Sequence, residues 1–241
     1  MTFAILIPAL DEEGPLARVL ADLPRAGEAV ALPSAAAPTL LRIVVVDNGS
    51  RDRTAQVARA AGAEVVHEPR RGYGQACLAG LAYLRAEPPD VVVFLDADHS
   101  DDPRELPRLL APIAAGQAQM VIGSRVLGKH EPGAFTPVQA FGNRLAAWLM
   151  KLMWGAMFTD LGPFRAIRWD ALVRLGMRDR DYGWTVEMQT RALQHGLACE
   201  EVPVSYRRRR LGKSKVAGTV RGVVGASIKI LFTLARVRMG G

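Results

Sequence analysis

The stretch VVVFLDADHSDD, residues 91–102, decides the fold. An apolar, largely β-branched run (Val91, Val92, Val93, Phe94, Leu95) stops abruptly at Asp96, with Asp98, Asp101 and Asp102 close behind. An apolar run this short, closed by turn chemistry, predicts a strand buried on both faces of a parallel sheet. In open α/β sheets, ligands gather where such strands end at their carboxyl edge. Carboxylates crowded there repel one another unless something offsets the repulsion. A hard divalent cation is the usual partner, because oxygen ligands suit Mg²⁺ or Mn²⁺ and a diphosphate completes the shell. Asp96 and Asp98 are the expected metal ligands. Asp101 and Asp102, just ahead of Pro103, read instead as caps of the next helix.

Upstream, residues 3–7 form a second buried strand, ended by Pro8 and followed by an acidic turn at 10–13 and helical spacing over 15–23. Residues 24–39, rich in Ala and Pro and without periodicity, read as a surface insertion. Residues 41–46 are a strand running into Asp47–Asn48–Gly49–Ser50, then a helix from Thr54, then a short strand at 63–67. The segment RRGYG (70–74) opens a helix over 75–85; beyond the 91–95 strand come a helix over 105–115 and a strand at 120–122. Strands alternating with helices predict a doubly wound, mostly parallel α/β sheet.

The second half changes character. Residues 138–158 carry ten large apolar side chains and only Arg144 and Lys151 as charges, so a helix apolar nearly all round is expected, a core element or one lying in a membrane interface. Residues 160–167 read as a turn and strand, 184–195 as a helix and 198–206 as a strand. RRRRLGKSK (207–215) is a basic loop broken by glycine. The last helix, 220–238, carries Arg221, Lys229 and Arg236 on one side, which suits an anionic membrane surface.

The totals agree with a single α/β domain over 1–218 and an amphipathic C-terminal helix over 219–241. The chain has 241 residues, 49% of them apolar, and a net charge of +7 that calls for a polyanionic partner. Cys77 and Cys199 read as buried free thiols of a reducing compartment. The first residues lack the basic region and small-residue cleavage site of a signal peptide, and no apolar stretch reaches the ~20 residues of a spanning helix. A cytoplasmic protein, peripheral on the inner face of a membrane, is expected.

Strand ends in a parallel sheet converge, so residues 8–12, 47–50, 70–74 and 96–98 should line one crevice. There Asp47 can accept from a nucleobase edge, and Arg71, with the exposed amides of Gly72 and Gly74, offers a cationic fork for ribose or phosphate. IPALDEE, VVVDNGSRDRT, EPRRGYGQACLAGL, VVFLDADHSDDP and VIGSR resemble, in this order, the successive motifs of family 2 glycosyltransferases with the GT-A fold. Within that family they look most like dolichyl- and polyprenyl-phosphate mannose and glucose synthases. The match is close over 3–125 and looser to about 215.

The resemblance implies metal-dependent transfer of a hexose from a UDP- or GDP-linked donor, with inversion at the anomeric carbon. It assigns Pro8, Ala9, Leu10 and Glu12 to the nucleoside, with Gly72 and Ala97 in the same site, Asp47 to the base and Arg71 to the nucleotide. Asp96 and Asp98 would hold the cation. Arg209, Lys213 and Lys215 would sit on a loop closing over the diphosphate leaving group. Arg125 and Arg144 match positions that bind an acceptor phosphate. The family often carries an aromatic residue where Leu10 stands, Asp where Asn48 stands, and Gln where Ser100 stands; at Ser100 a hydroxyl or bridging water would be the third metal ligand.

Two acceptor classes follow. A hydroxyl acceptor needs a general base, for which Glu187 is the candidate by the same resemblance. A polyprenyl phosphate needs none, because a phosphate monoester is already largely ionised near neutrality (second pKa ~6). A nucleic-acid-binding module would use the basic stretch but leaves the acidic cluster unexplained, so no nucleic acid is expected.

Overall fold

The computed structural model describes residues 1–32, 36–135, 137–155, 158–209, 232–233 and 236–238. The apolar run becomes β4 (Val91–Phe94), the middle strand of a seven-stranded sheet. On one side lie β1 (Thr2–Ala9), β2 (Thr39–Asp47) and β3 (Glu64–His67), all parallel to their neighbours. On the other side β6 (Arg165–Arg168) runs antiparallel to both β4 and β5 (Met120–Ser124), and β7 (Cys199–Pro203) closes the edge parallel to β5. The sheet is therefore mixed but mostly parallel, with the order β3-β2-β1-β4-β6-β5-β7.

The alternation along β4 shows why it sits in the middle. Val91, Val93 and Leu95 pack into one apolar layer with residues of α1 (Glu13–Ala21), α2 (Thr54–Ala60) and α4 (Leu106–Ala114). Val92 and Phe94 pack into the opposite layer with α3 (Tyr73–Leu84), α6 (Trp169–Leu175) and α7 (Trp184–Gln194). Burying each such side chain contributes ~1.5–3 kcal/mol relative to leaving it exposed. Both faces are covered, so an uninterrupted apolar run is what this position requires.

Several boundaries differ from expectation for identifiable reasons. The helix expected over 138–158 is α5 (Pro137–Trp154), ended by Gly155 at a left-handed φ of +73°. It is not buried all round, since Trp148 and Leu152 are exposed. The segment expected as a surface insertion is partly built into the sheet: the Val30 amide donates to the Pro38 carbonyl, the Leu40 amide donates to the Glu28 carbonyl, and the Val30 side chain joins the core. Asp101 does not cap the following helix. Asp102 does, accepting from the Arg104 amide at 3.2 Å ahead of a 3-10 turn at Pro103–Glu105. Most of the last expected helix, including Arg221 and Lys229, lies outside the described residues, as does 210–220.

Arg165 on β6 is a fully buried cation solvated by carbonyls: Nε donates to Gly162 O (3.0 Å), and the terminal nitrogens donate to Thr185 O (3.0 Å) and Leu161 O (3.2 Å). Burial draws its pKa down to about 10. Only a fork reaches three carbonyls from one position. Arg165→Lys is therefore expected to destabilise the fold by about 3 kcal/mol, since two carbonyls lose a charged donor. Denaturant unfolding with an unchanged midpoint would refute it.

Candidate active site

The carboxyl ends of β1, β2 and β4 open into one cavity of about 930 Å³, lined among others by Pro8, Ala9, Leu10, Glu12, Asn48, Arg71, Gly72, Asp96, Ala97, Asp98, Ser100, Arg125 and Arg209. Most of the residues singled out in the sequence thus meet in one place. Asp47 stands just behind them, accepting from the Ser50 amide (3.0 Å) and facing His67 Nδ1 (3.2 Å). Lys213 and Lys215 lie outside the described residues.

Asp96 and Asp98 stand at the cavity floor. Tyr73 donates its hydroxyl to Asp96 Oδ1 at 3.0 Å, and the Ser100 amide donates to Asp98 Oδ1 at 2.9 Å. Burial, with the neighbouring charge of Asp98, pushes the Asp96 carboxyl up to about 7. Arg209 bridges the acids, pairing with Glu12 and holding Nη1 3.4 Å from Asp98 Oδ2. Two adjacent carboxylates whose mutual repulsion raises a pKa suit a hard cation by donor type. Among the described residues no three His, Cys, Asp or Glu side chains form a metal cage, so such a cation would complete its shell from a diphosphate and water. Asp101 is buried beneath the pair, and neither of its carboxylate oxygens has a hydrogen-bond partner. Burial raises its pKa well above the carboxylate range. His99 turns away from the cavity with φ +60°, its Nε2 2.9 Å from Asp22 Oδ2.

Arg125 enters from the end of β5. Asp160 takes its Nε (2.7 Å) and Nη2 (2.8 Å) as a fork, and its guanidinium lies over the rings of Phe135 (5.0 Å) and Tyr206 (4.8 Å). Against the penalty of burial, the hydrogen bonds from Arg125 hold the Asp160 carboxyl below its usual range. Nη1 has no hydrogen bond among the described residues.

Besides Asp47, two further expected residues are not on the cavity wall. Arg144 is exposed on α5, because its neighbour Asn143 points inward, donating to Thr159 O and accepting from the Leu161 amide, both at 2.8 Å. Consecutive helical side chains are 100° apart, so fixing one inward turns the next outward. Glu187 is fully buried, and both its oxygens are occupied by donors outside the cavity. Conversely, Tyr73, Asp181, Tyr182 and Tyr206 line the cavity without having been singled out. Of these only Tyr73 had a local signal, in RRGYG.

The loop carrying Arg71 is held from below. Asn48 Nδ2 donates to Glu68 O (3.0 Å) and Arg70 O (2.7 Å), and its Oδ1 accepts the Gly72 amide (2.9 Å). Hydrogen bonds from Arg70 and Gln75 hold the Glu68 carboxyl down at about 2.

Comparison with known proteins agrees with this geometry. The family model described as glycosyl transferase family 2 matches residues 4–176. The chain belongs to glycosyltransferase family 2. Its relatives include an uncharacterized glycosyltransferase of Mycobacterium tuberculosis, 40% identical over 222 residues (91% of this chain, 92% of the relative). An undecaprenyl-phosphate mannosyltransferase of Micrococcus luteus is 32% identical over 200 residues (77% and 79%). Among solved structures, glucosyl-3-phosphoglycerate synthase from Mycobacterium tuberculosis, crystallised with Mn²⁺, UDP and glucosyl-3-phosphoglycerate, superposes with a TM-score of 0.75. It is 22% identical, and the match covers 99% of this chain and 80% of that one. The fold is therefore GT-A, and the chain is a glycosyltransferase.

The three hydrogen bonds of Asn48 call for an amide at this position. Asn48→Asp would turn a carboxylate oxygen toward two carbonyls, and is expected to cost roughly 2–4 kcal/mol and loosen the Arg71–Gly72 loop. Chemical denaturation checks this; a stability within ~0.5 kcal/mol of the parent would show that the amide is dispensable.

Proposed function

We propose that this glycosyltransferase moves a hexose from a UDP- or GDP-linked donor to a polyprenyl phosphate, releasing the nucleoside diphosphate. The observation that carries the reading is the state of the charged side chains. Arg125 stands in the cavity with one nitrogen unspent, while Glu187, the carboxylate expected to serve as base, is buried and fully hydrogen-bonded. An acceptor already carrying negative charge needs a cation and no base. The relative named for undecaprenyl-phosphate transfer supports the same acceptor class.

In this reading Pro8, Ala9, Leu10, Glu12, Arg71, Gly72 and Ala97 receive the nucleotide, with Asp47 behind them set toward the base. A divalent cation, Mg²⁺ or Mn²⁺, held by Asp96 and Asp98 would supply charge neutralisation for the donor diphosphate. Arg125 orients the acceptor phosphate, one of whose oxygens attacks the anomeric carbon as the bond to the diphosphate breaks, inverting that carbon. Arg209, with Lys213 and Lys215, neutralises the departing diphosphate. Residues 1–218 act as the transferase domain. No described helix is long and apolar enough to cross a membrane. The exposed side of α5, with Arg144, Trp148, Lys151 and Leu152, has the charge and amphipathic character to rest on an anionic bilayer that holds the acceptor.

Asp98→Asn should weaken Mn²⁺-dependent binding of UDP or GDP at least ~10-fold, about 1.4 kcal/mol, without unfolding. Calorimetry showing equal affinity would remove the metal assignment. Arg125→Lys keeps the charge but loses the fork, so transfer to a short polyprenyl phosphate should fall while nucleotide affinity holds. A donor and acceptor panel in which sugar passes only to hydroxyl acceptors would overturn the phosphate reading.

A further inference from the structure

Glu187 sits on α7 with its carboxylate fully buried and four donors around it. Oε2 accepts the backbone amides of Arg178 (3.0 Å) and Asp179 (2.7 Å). Oε1 accepts Nε of Arg191 (3.0 Å) and Nη2 of Arg236 (3.1 Å). A buried carboxylate depends on such cations, and removing one leaves charge without compensation. One of the two belongs to α7 itself; the other comes from the C-terminal segment, 49 residues away.

The turn that Glu187 holds is in direct backbone contact with the nucleotide side of the cavity. Arg180 O accepts the Gln75 amide at 2.8 Å. A Cβ on Gly72, which has φ +143°, would lie 2.2 Å from Arg180 O, and one on Gly74 would lie 2.1 Å from Asp179 O. No side chain cushions this contact, so a shift of the turn is passed on to Arg71, Gly72 and Tyr73. Continuing along the chain, the turn carries Asp181 and Tyr182 into the cavity wall.

The C-terminal residues grip the same turn from behind. Thr233 and Val237 are fully buried, and Gln194 of α7 donates to the Val237 carbonyl. A Cβ on Gly183 would stand 2.5 Å from Thr233 Oγ1. Arg236, expected from the sequence on a membrane-facing basic side, instead spends its charge on Glu187.

We propose that Glu187 is a positioning residue that transmits the docking of the C-terminal segment, through Arg236, to the turn at 178–182, and so sets donor affinity at the Arg71–Tyr73 wall. The consequence for affinity rests on reading the cavity as the donor site; the coupling itself does not. Glu187→Gln keeps the shape and loses the charge, and Arg236→Met removes the distant cation while leaving α7 intact.

Hydrogen exchange, read without ligand, should quicken in both variants at the amides of Gln75, Arg178 and Asp179, with β1 and β4 unchanged. UDP or GDP affinity with Mn²⁺ should weaken ~3–10-fold in each, the double variant being no worse than the weaker single, as expected for one shared pathway. Turnover at saturating donor should stay within ~3-fold of the parent, a KM effect rather than a kcat effect. Parental exchange at Gln75, Arg178 and Asp179 in Arg236→Met would overturn the proposal, as would additive losses. Glu187→Gln abolishing turnover with nucleotide affinity intact would make it a base instead. If the parent chain binds neither nucleotide, the donor reading fails and exchange alone decides the coupling. If Glu187→Gln does not fold, Arg236→Met carries the test.

Discussion

Four carboxylates within seven residues, Asp96, Asp98, Asp101 and Asp102, crowd the end of the central strand, and the rest of the molecule is arranged to tolerate them. Like charges a few ångströms apart repel by about 4 kcal/mol at an effective dielectric constant near 20. The apolar run that precedes them contributes more than that in buried area, so the strand holds its place. Three of the four are met differently, and the Asp101 carboxylate is buried with no hydrogen-bond partner among the described residues. Asp102 is paired by Arg104 and Arg207, and Asp98 by Arg209, while Asp96 is pushed up to about 7 by burial and the charge of Asp98, against the Tyr73 hydroxyl it accepts. Arg207 and Arg209 are thus counter-ions of the acidic edge. Their density in the sequence, which suggests a surface loop, is explained by what lies opposite.

A second constraint is steric. The loop bearing Arg71 is fixed from below by Asn48 and from the side by bare backbone contact between Gly72, Gly74 and the 179–180 turn. Glycine is required at 72 both by its positive φ and by the carbonyl against it. The result is a cation held in position by backbone geometry while remaining exposed itself. The same contact is why a buried acid on α7 has any bearing on the cavity.

Much of this was legible in the residues, and the gaps have physical causes. Buried strands announce themselves by unbroken apolar runs, so β1, β2 and β4 and the convergence of their ends followed from the sequence. The direction of β6 did not, because the side-chain pattern of a strand is the same whichever way it runs. Asp101 and Asp102 both suit a cap, yet only the residue immediately before Pro103 occupies that position, and the other is driven into the interior. Arg144 and Glu187 are visible as charges, but their directions are set by partners far along the chain: Thr159 and Leu161 for the helix face of Arg144, and Arg178, Asp179 and Arg236 for Glu187. Local pattern carries no record of such partners.

Arg125 shows what those distant partners achieve chemically. A free arginine loses rotamer entropy when it grips an anion. Here one edge of the guanidinium is already taken by Asp160, and aromatic rings lie over its plane, so most of that entropy was lost on folding. Pre-organisation of this kind lowers the cost of recognition rather than adding contacts. It also confers selectivity, because Asp160 balances the formal charge while the remaining N–H groups keep their direction. An anion approaching along that direction meets a donor with no reorganisation to undergo. A neutral hydroxyl gains less from the same group, since it lacks the full charge that adds a Coulomb attraction to the guanidinium. For the proposed reaction, such a donor would favour an acceptor that already carries charge.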